Sequence, residues 1–163
     1  MADLQIVNAV IDLGTNTFNL LVAESSLPGT FRVLHEERLA VKMGRGGIHK
    51  EKLLPEAMER GLTALSLHEK NILKFGAANV RVIGTSAIRG AANRDEFIGQ
   101  VRRQFGWEME VIDGNREAEY IFRGMVTPFL LFRRNTLCWI SAGEATNLSS
   151  LMESESYGKR VST

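Results

Sequence analysis

The apolar positions change their period about a quarter of the way along the chain. Residues 5–13 (QIVNAVIDL) are rich in Val and Ile and predict a strand. Residues 18–25 predict a second strand and Phe31 to about Val41 a third, with the turn signal Leu27-Pro28-Gly29 between them. Together they make an antiparallel meander. After a stretch holding Gly44, Gly46 and Gly47, Pro55 opens a helix, where a missing N–H costs nothing. Met58, Leu62, Leu65 and Ile72 recur at helical spacing on one face, and Gly76 suits the exit. NVRVIGTSA (79–87) predicts a short strand, RDEFIGQVRRQFG (94–106) an amphipathic helix ended by Gly106, and EMEVID (108–113) a strand. Asn115 caps a last helix, REAEYIFRGM (116–125), whose first turn carries acids where the macrodipole favours them. The order β-β-β-α-β-α-β-α describes an α/β fold, a mixed sheet with helices packed on it.

Beyond residue 125 the periodicity fails. FLLFRR is apolar then basic, and ISAGEATNLSSLMESESYGKRVST is serine-rich without a period. The expected organisation is therefore one folded lobe over 1–125 and an irregular tail over 126–163. At 163 residues, 44% hydrophobic and 24% charged, the chain is ordinary for a globular domain. A formal net charge of +1 gives no global field to draw in nucleic acid or an anionic membrane, so a polyanion would have to be held by local groups. Lys and Arg are not interleaved with aromatics, which argues against a specific nucleic-acid partner. The lone cysteine, Cys138, excludes a disulfide framework, and no segment has the length and apolarity of a membrane span. The expected location is the cytoplasm.

Three segments could carry chemistry. In Asp12-Leu13-Gly14-Thr15-Asn16-Thr17 the glycine permits close backbone approach and dihedrals closed to other residues. The Thr15 and Thr17 hydroxyls and successive amides can donate to phosphate oxygens, and Asp12 at the strand end can hold a divalent cation or orient water. Such a tetrad also occurs in plain hairpin turns; the apolar strands on both sides, with the acid at the boundary, favour function. In GTSAIRGAAN (84–93), Thr85 and Ser86 lie at a strand end and Arg89 follows, offering a planar fork for two oxygens, although an ordinary loop with a solvated arginine fits the segment equally well. In DGNREAEYIF (113–122), Glu117 is placed to act as a general base, although a first-turn acid serving the helix dipole is the commoner case. No G-x-x-x-x-G-K-[ST] and no Rossmann glycine fingerprint is present, and His35, His49 and His68 are too scattered for a zinc site.

Taken together, AVIDLGTNTFNLLVAE, KMGRGGIHKEKLLPEAMERGLTAL, VIGTSAIRGAANRDEF and EVIDGNREAEYIFRGM resemble, in order and over residues 8–125, the exopolyphosphatase and guanosine pentaphosphate phosphatase (Ppx/GppA) family of the actin-like ATPase superfamily. The resemblance implies a ribonuclease-H-like half domain and hydrolysis of terminal phosphate from polyphosphate or guanosine pentaphosphate, with Mg²⁺. It implies that Asp12, Gly14, Thr15, Asn16 and Thr17 form a phosphate loop, with Arg89 facing phosphate; the hydroxyls of Thr85 and Ser86 are expected to bind phosphate beside it. Glu117 would be the catalytic base, and Asp12 and Glu117 the metal-facing acids. A homodimer is a further expected association.

Family members then start a second half domain with a loop D-I-G-G-G-S-x-E. Here the corresponding stretch reads TLCWISAGEATNLSS. The genetic code offers a reason. The last base of the Trp139 codon and the first two of Ile140 spell aspartate in a shifted frame, and the following junctions permit D-I-G-G-G-S-N-E-F. The tail is thus expected to be out-of-frame translation, and the 163-residue chain to be weakly active or inactive alone. The alternative is a non-catalytic half domain that binds phosphate or nucleotide and pairs with another subunit. A sugar or acetate kinase of the same superfamily shares the fold, but the segments around Arg89 and Glu117 look like the phosphatases.

Overall fold

A computed structural model describes residues 6–27, 30–45 and 52–131. The chain divides into two units, Met1–Gly114 and Asn115–Thr163. In the first, β1 (Ile6–Leu13), β2 (Thr17–Leu27) and β3 (Thr30–Ala40) are followed by α1 (Pro55–Phe75), β4 (Asn79–Gly84), α2 (Ser86–Arg89), α3 (Arg94–Phe105) and β5 (Met109–Val111). The five strands form one sheet in the order β3-β2-β1-β4-β5. β1 pairs antiparallel with β2, and β2 with β3, whereas β1–β4 and β4–β5 are parallel. The mixed sheet expected from the sequence is what the protein builds. Its central strand, β1, has an antiparallel neighbour on one side and a parallel one on the other. The parallel pair β1–β4 therefore places the residues after Leu13 beside those after Gly84.

The core lies on one face of the sheet. Alternation puts Ala9, Ile11 and Leu13 of β1, Phe18, Leu20 and Val22 of β2, and Val82 of β4 inward, all buried. Helix α1 covers them with Ala57, Met58, Gly61, Ala64, Leu65, His68 and Ile72. This stripe contains Met58, Leu65 and Ile72 as expected, and Leu62 packs at its margin. Pro55 starts the helix, and Gly76 ends it in the left-handed region at φ 66°, its N–H turned back to Ile72 and Leu73. The side chains of α3 that reach the core are Phe97 and Val101. A Cβ on Gly61 would meet the Phe97 ring at 2.9 Å, so glycine there is what lets α1 and α3 pack this closely.

The structure revises three boundaries. The strand expected over 79–87 stops at Gly84, because Ile88 and Arg89 donate their N–H groups to Thr85 O and close a helical turn, α2. The strand expected over 108–113 is only Met109–Val111. The last helix, α4, runs Gly114–Leu131 rather than 116–125, so Asn115 lies inside it and the backbone stays helical across Pro128. An interior proline normally costs a helix about 3 kcal/mol; the expected end at residue 125 rested on the loss of apolar period beyond it. The α4 residues from Asn115 onward belong to the second unit. The predicted Pro28-Gly29 turn, most of the glycine-rich stretch, and the tail from residue 132 lie outside the described residues.

Candidate functional site

The C-terminal ends of β1 and β4 carry the two hydroxyl-bearing turns picked out from the sequence. The Thr15 Oγ1–Ser86 Oγ hydrogen bond is 2.6 Å long and joins residues 71 apart in the chain. Thr85 ties its turn to β1 by donating both N–H and Oγ1–H to Leu13 O, each at 3.3 Å. Asp12, Gly14–Thr17, Thr85 and Ser86 are thus brought to one end of two adjacent parallel strands.

The turn after β1 is a closed hairpin. Gly14 N–H donates to Thr17 O at 3.0 Å, so this amide is committed to the turn and cannot serve a ligand. Gly14 is not in the positive-φ region; among the described glycines only Gly76 and Gly106 are. The expectation that unusual dihedrals require glycine here is therefore corrected. The requirement is space: a Cβ at Gly14 would lie 2.9 Å from Thr17 O. Thr15 and Asn16 N–H make no hydrogen bond among the described residues and remain as the turn's backbone donors. A neighbouring segment holds the turn from outside. Val41 and Lys42 N–H both donate to Asn16 O at 2.9 Å, and Gly44 N–H donates to Thr15 O at 3.3 Å.

Asp12 sits between the inward-facing Ile11 and Leu13, so its side chain is on the sheet face opposite α1. There it heads a polar row in register across three strands: Asp12 opposite Asn19 on β2, and Asn19 opposite Arg38 on β3. Asn19 Nδ2 donates to Asp12 Oδ2 at 3.2 Å, while Arg38 Nε donates to Asn19 Oδ1 at 2.9 Å. The arginine fixes which way the amide points, and the amide fixes the carboxylate.

Arg89, on α2, donates from Nη1 to Ile112 O at 3.0 Å, beyond the end of β5. Its guanidinium is thereby anchored across the β4–β5 end of the sheet. Glu117 is the acid of the first turn of α4 and belongs to the second unit. Among the described residues no three His, Cys, Asp or Glu side chains converge to hold a metal. A single carboxylate, Asp12, is consistent with Mg²⁺, which is commonly held by one or two carboxylates plus substrate phosphates and water.

Asn19 and Arg38 were missed by the sequence reading. For Asn19 a signal was present: the short turn between β1 and β2 fixes the register that sets it against Asp12, whereas Arg38 lies in the polar run His35–Arg38 and nothing local marks it.

The sequence pattern of the Ppx/GppA phosphatase family matches residues 21–156. The chain belongs to the Ppx/GppA phosphatase family. It is 34% identical over 140 residues to the guanosine-5'-triphosphate,3'-diphosphate pyrophosphatase of Aeromonas hydrophila, a match covering 86% of this chain and 26% of that relative. The fold is similar to the crystal structure of an exopolyphosphatase from Cytophaga hutchinsonii, with a TM-score of 0.70 and 39% identity over 73% of this chain and 38% of the other. The Ppx/GppA family member of Aquifex aeolicus gives a TM-score of 0.71 at 25% identity, covering 77% of this chain and 41% of the other. The present Ppx/GppA chain thus spans 26% of the curated relative's length and well under half of each crystallised one.

Proposed function

We propose that this chain is one phosphate-holding lobe of a phosphohydrolase that releases terminal phosphate from inorganic polyphosphate or guanosine pentaphosphate. The observation that carries the reading is the Thr15–Ser86 contact at 2.6 Å, which unites two hydroxyl-bearing turns beside Asp12. In this reading a terminal phosphoryl group is held by the Thr15 and Asn16 amides and by the Thr15, Thr17 and Ser86 hydroxyls. Arg89 neutralises further oxygens. Asp12, oriented by Asn19, would hold Mg²⁺, which would supply positive charge to offset that of the phosphates. A water oxygen forms a bond to the terminal phosphorus as the bridging P–O bond breaks, and the water's proton passes to Glu117. The role of Glu117 rests on the family likeness. The cytoplasm is the proposed location; among the described residues no helix is long and apolar enough to cross a membrane.

A second reading rests on the same joined turns, which supply anion donors within one unit of the chain. The lobe binds phosphate or nucleotide without hydrolysis and pairs with another subunit, a second copy included. One experiment separates the two: phosphate release from polyphosphate and from guanosine pentaphosphate, measured beside binding of both, with Mg²⁺. Release that is abolished by Glu117→Gln supports the first reading. Binding without release supports the second. Failure to bind either compound overturns both.

A further inference from the structure

The geometry points to Arg60 as a positioning residue for the phosphate loop, acting through the strained Lys42 turn; this rests on the phosphate-holding role proposed above. Arg60 lies in the second turn of α1 and reaches back over the start of its own helix. Its Nε donates to Val41 O at 2.9 Å, Nη2 to Lys42 O at 3.0 Å and Nη1 to Glu56 O at 2.9 Å. One planar cation therefore gathers three carbonyls, two of them consecutive. The N–H groups of the same two residues, Val41 and Lys42, both end on Asn16 O. The segment is thus held on both sides, by Arg60 on its carbonyls and by the phosphate loop on its amides.

Lys42 shows what this clamp opposes. Its φ is +55°, the one positive value among the described non-glycine residues, a left-handed conformation that a side chain with a Cβ disfavours. Such a conformation persists only where its surroundings over-determine it. Arg60 supplies that determination at the adjoining carbonyls. From there the effect reaches the loop by peptide geometry. Gly44, two residues further on, donates to Thr15 O. In a trans peptide the C=O and the following N–H point in opposite directions. Fixing Thr15 O toward Gly44 therefore aims Asn16 N–H, one of the two amides left for phosphate, away from the bracing segment. Asp12 and Thr85 are held by other contacts, so Arg60 governs the direction of the loop amides and leaves these two in place.

The test is a double-mutant cycle on the full 163-residue chain with Mg²⁺-tripolyphosphate as probe. Arg60→Met keeps the stem and removes the donors. It is expected to weaken binding about tenfold, the scale of one lost hydrogen bond to a charged group. Lys42→Gly removes the disfavour for positive φ, so the double variant is expected to recover to within about threefold of wild type. A general structural role for Arg60 would not be relieved by a glycine at position 42. Unchanged binding in Arg60→Met, or a loss that Lys42→Gly does not recover, overturns the assignment. Hydrogen exchange without ligand gives an independent readout. Arg60→Met should lose protection at the Val41, Lys42 and Gly44 amides and the double variant should regain it; unchanged protection overturns the assignment. If the wild type fails to bind the probe, the phosphate-holding reading fails, and the exchange result still decides whether Arg60 positions the loop.

Discussion

Replacing Gly14 by alanine adds one methyl group at the point where the proposed phosphate loop closes. The new Cβ would lie 2.9 Å from Thr17 O, inside van der Waals contact, and the obstacle is backbone that cannot rotate away. Thr17 O is also the acceptor for Gly14 N–H, and Thr17 opens β2, where it pairs with Ala40. Relief of the clash therefore means lengthening the bond that closes the hairpin. Loss of that bond costs about 1 kcal/mol. Residual crowding adds about 1–3 kcal/mol. Because φ at Gly14 is not positive, no left-handed penalty is added. Alanine also reduces the freedom of the unfolded chain, which returns about 0.4–1 kcal/mol. The net expectation is about 1–3 kcal/mol of destabilisation, or roughly 3–10 °C in Tm for a chain of this size. Affinity for Mg²⁺-tripolyphosphate should fall by more than stability does, since the displaced atoms belong to the loop. Thermal unfolding of Gly14→Ala beside Gly114→Ala checks this, because a Cβ at Gly114 meets nothing within 4 Å. Equal stability and equal affinity in Gly14→Ala and wild type would refute the steric argument.

Further outcomes follow from the polar row, the buried histidine and the helix contact. Asn19→Ala removes the donor to Asp12 and the acceptor for Arg38, and should weaken Mg²⁺-dependent tripolyphosphate binding about fivefold to tenfold; Arg38→Ala should add little in that background if it acts through Asn19, and additive losses would show an independent role. His68 is fully buried beside Glu37, and burial lowers its pKa below the ordinary value against the opposing pull of that carboxylate. The unfolded chain therefore takes up this proton at higher pH than the folded one, so stability should be flat above about pH 7 and fall as pH drops below about 6.5. Urea unfolding from pH 7 to 5 reads this, and a slope unchanged in His68→Gln would contradict it. Gly61→Val places carbon against the Phe97 ring and Met43 sulfur, and should cost about 1–3 kcal/mol in the same unfolding assay; a neutral result would show that α1 and α3 have room to part.

Much of this was legible in the sequence because local rules and the fold agree. Pro55 and Gly76 bracket α1, Gly106 closes α3 at φ 70°, and the first three strands follow their apolar runs. What failed were places where a tertiary contact decides. Thr85 and Ser86 read as a strand end, yet the Thr85–Leu13 bonds and the helical turn at Thr85 O make them the start of α2. Gly14 read as a conformational need and is a steric one. Asn19 and Arg38 act through strand register and Arg60 through backbone carbonyls, and none of the three forms a sequence motif.

The central claim is that the turns after β1 and β4 form a single phosphate site. Amide chemical shifts of the full chain, followed during titration with Mg²⁺-tripolyphosphate, test it most directly. The account predicts saturable shifts concentrated at Thr15, Asn16, Thr17, Thr85 and Ser86, moving together with one dissociation constant. Shifts elsewhere with these five still, or separate constants for the two turns, would contradict it.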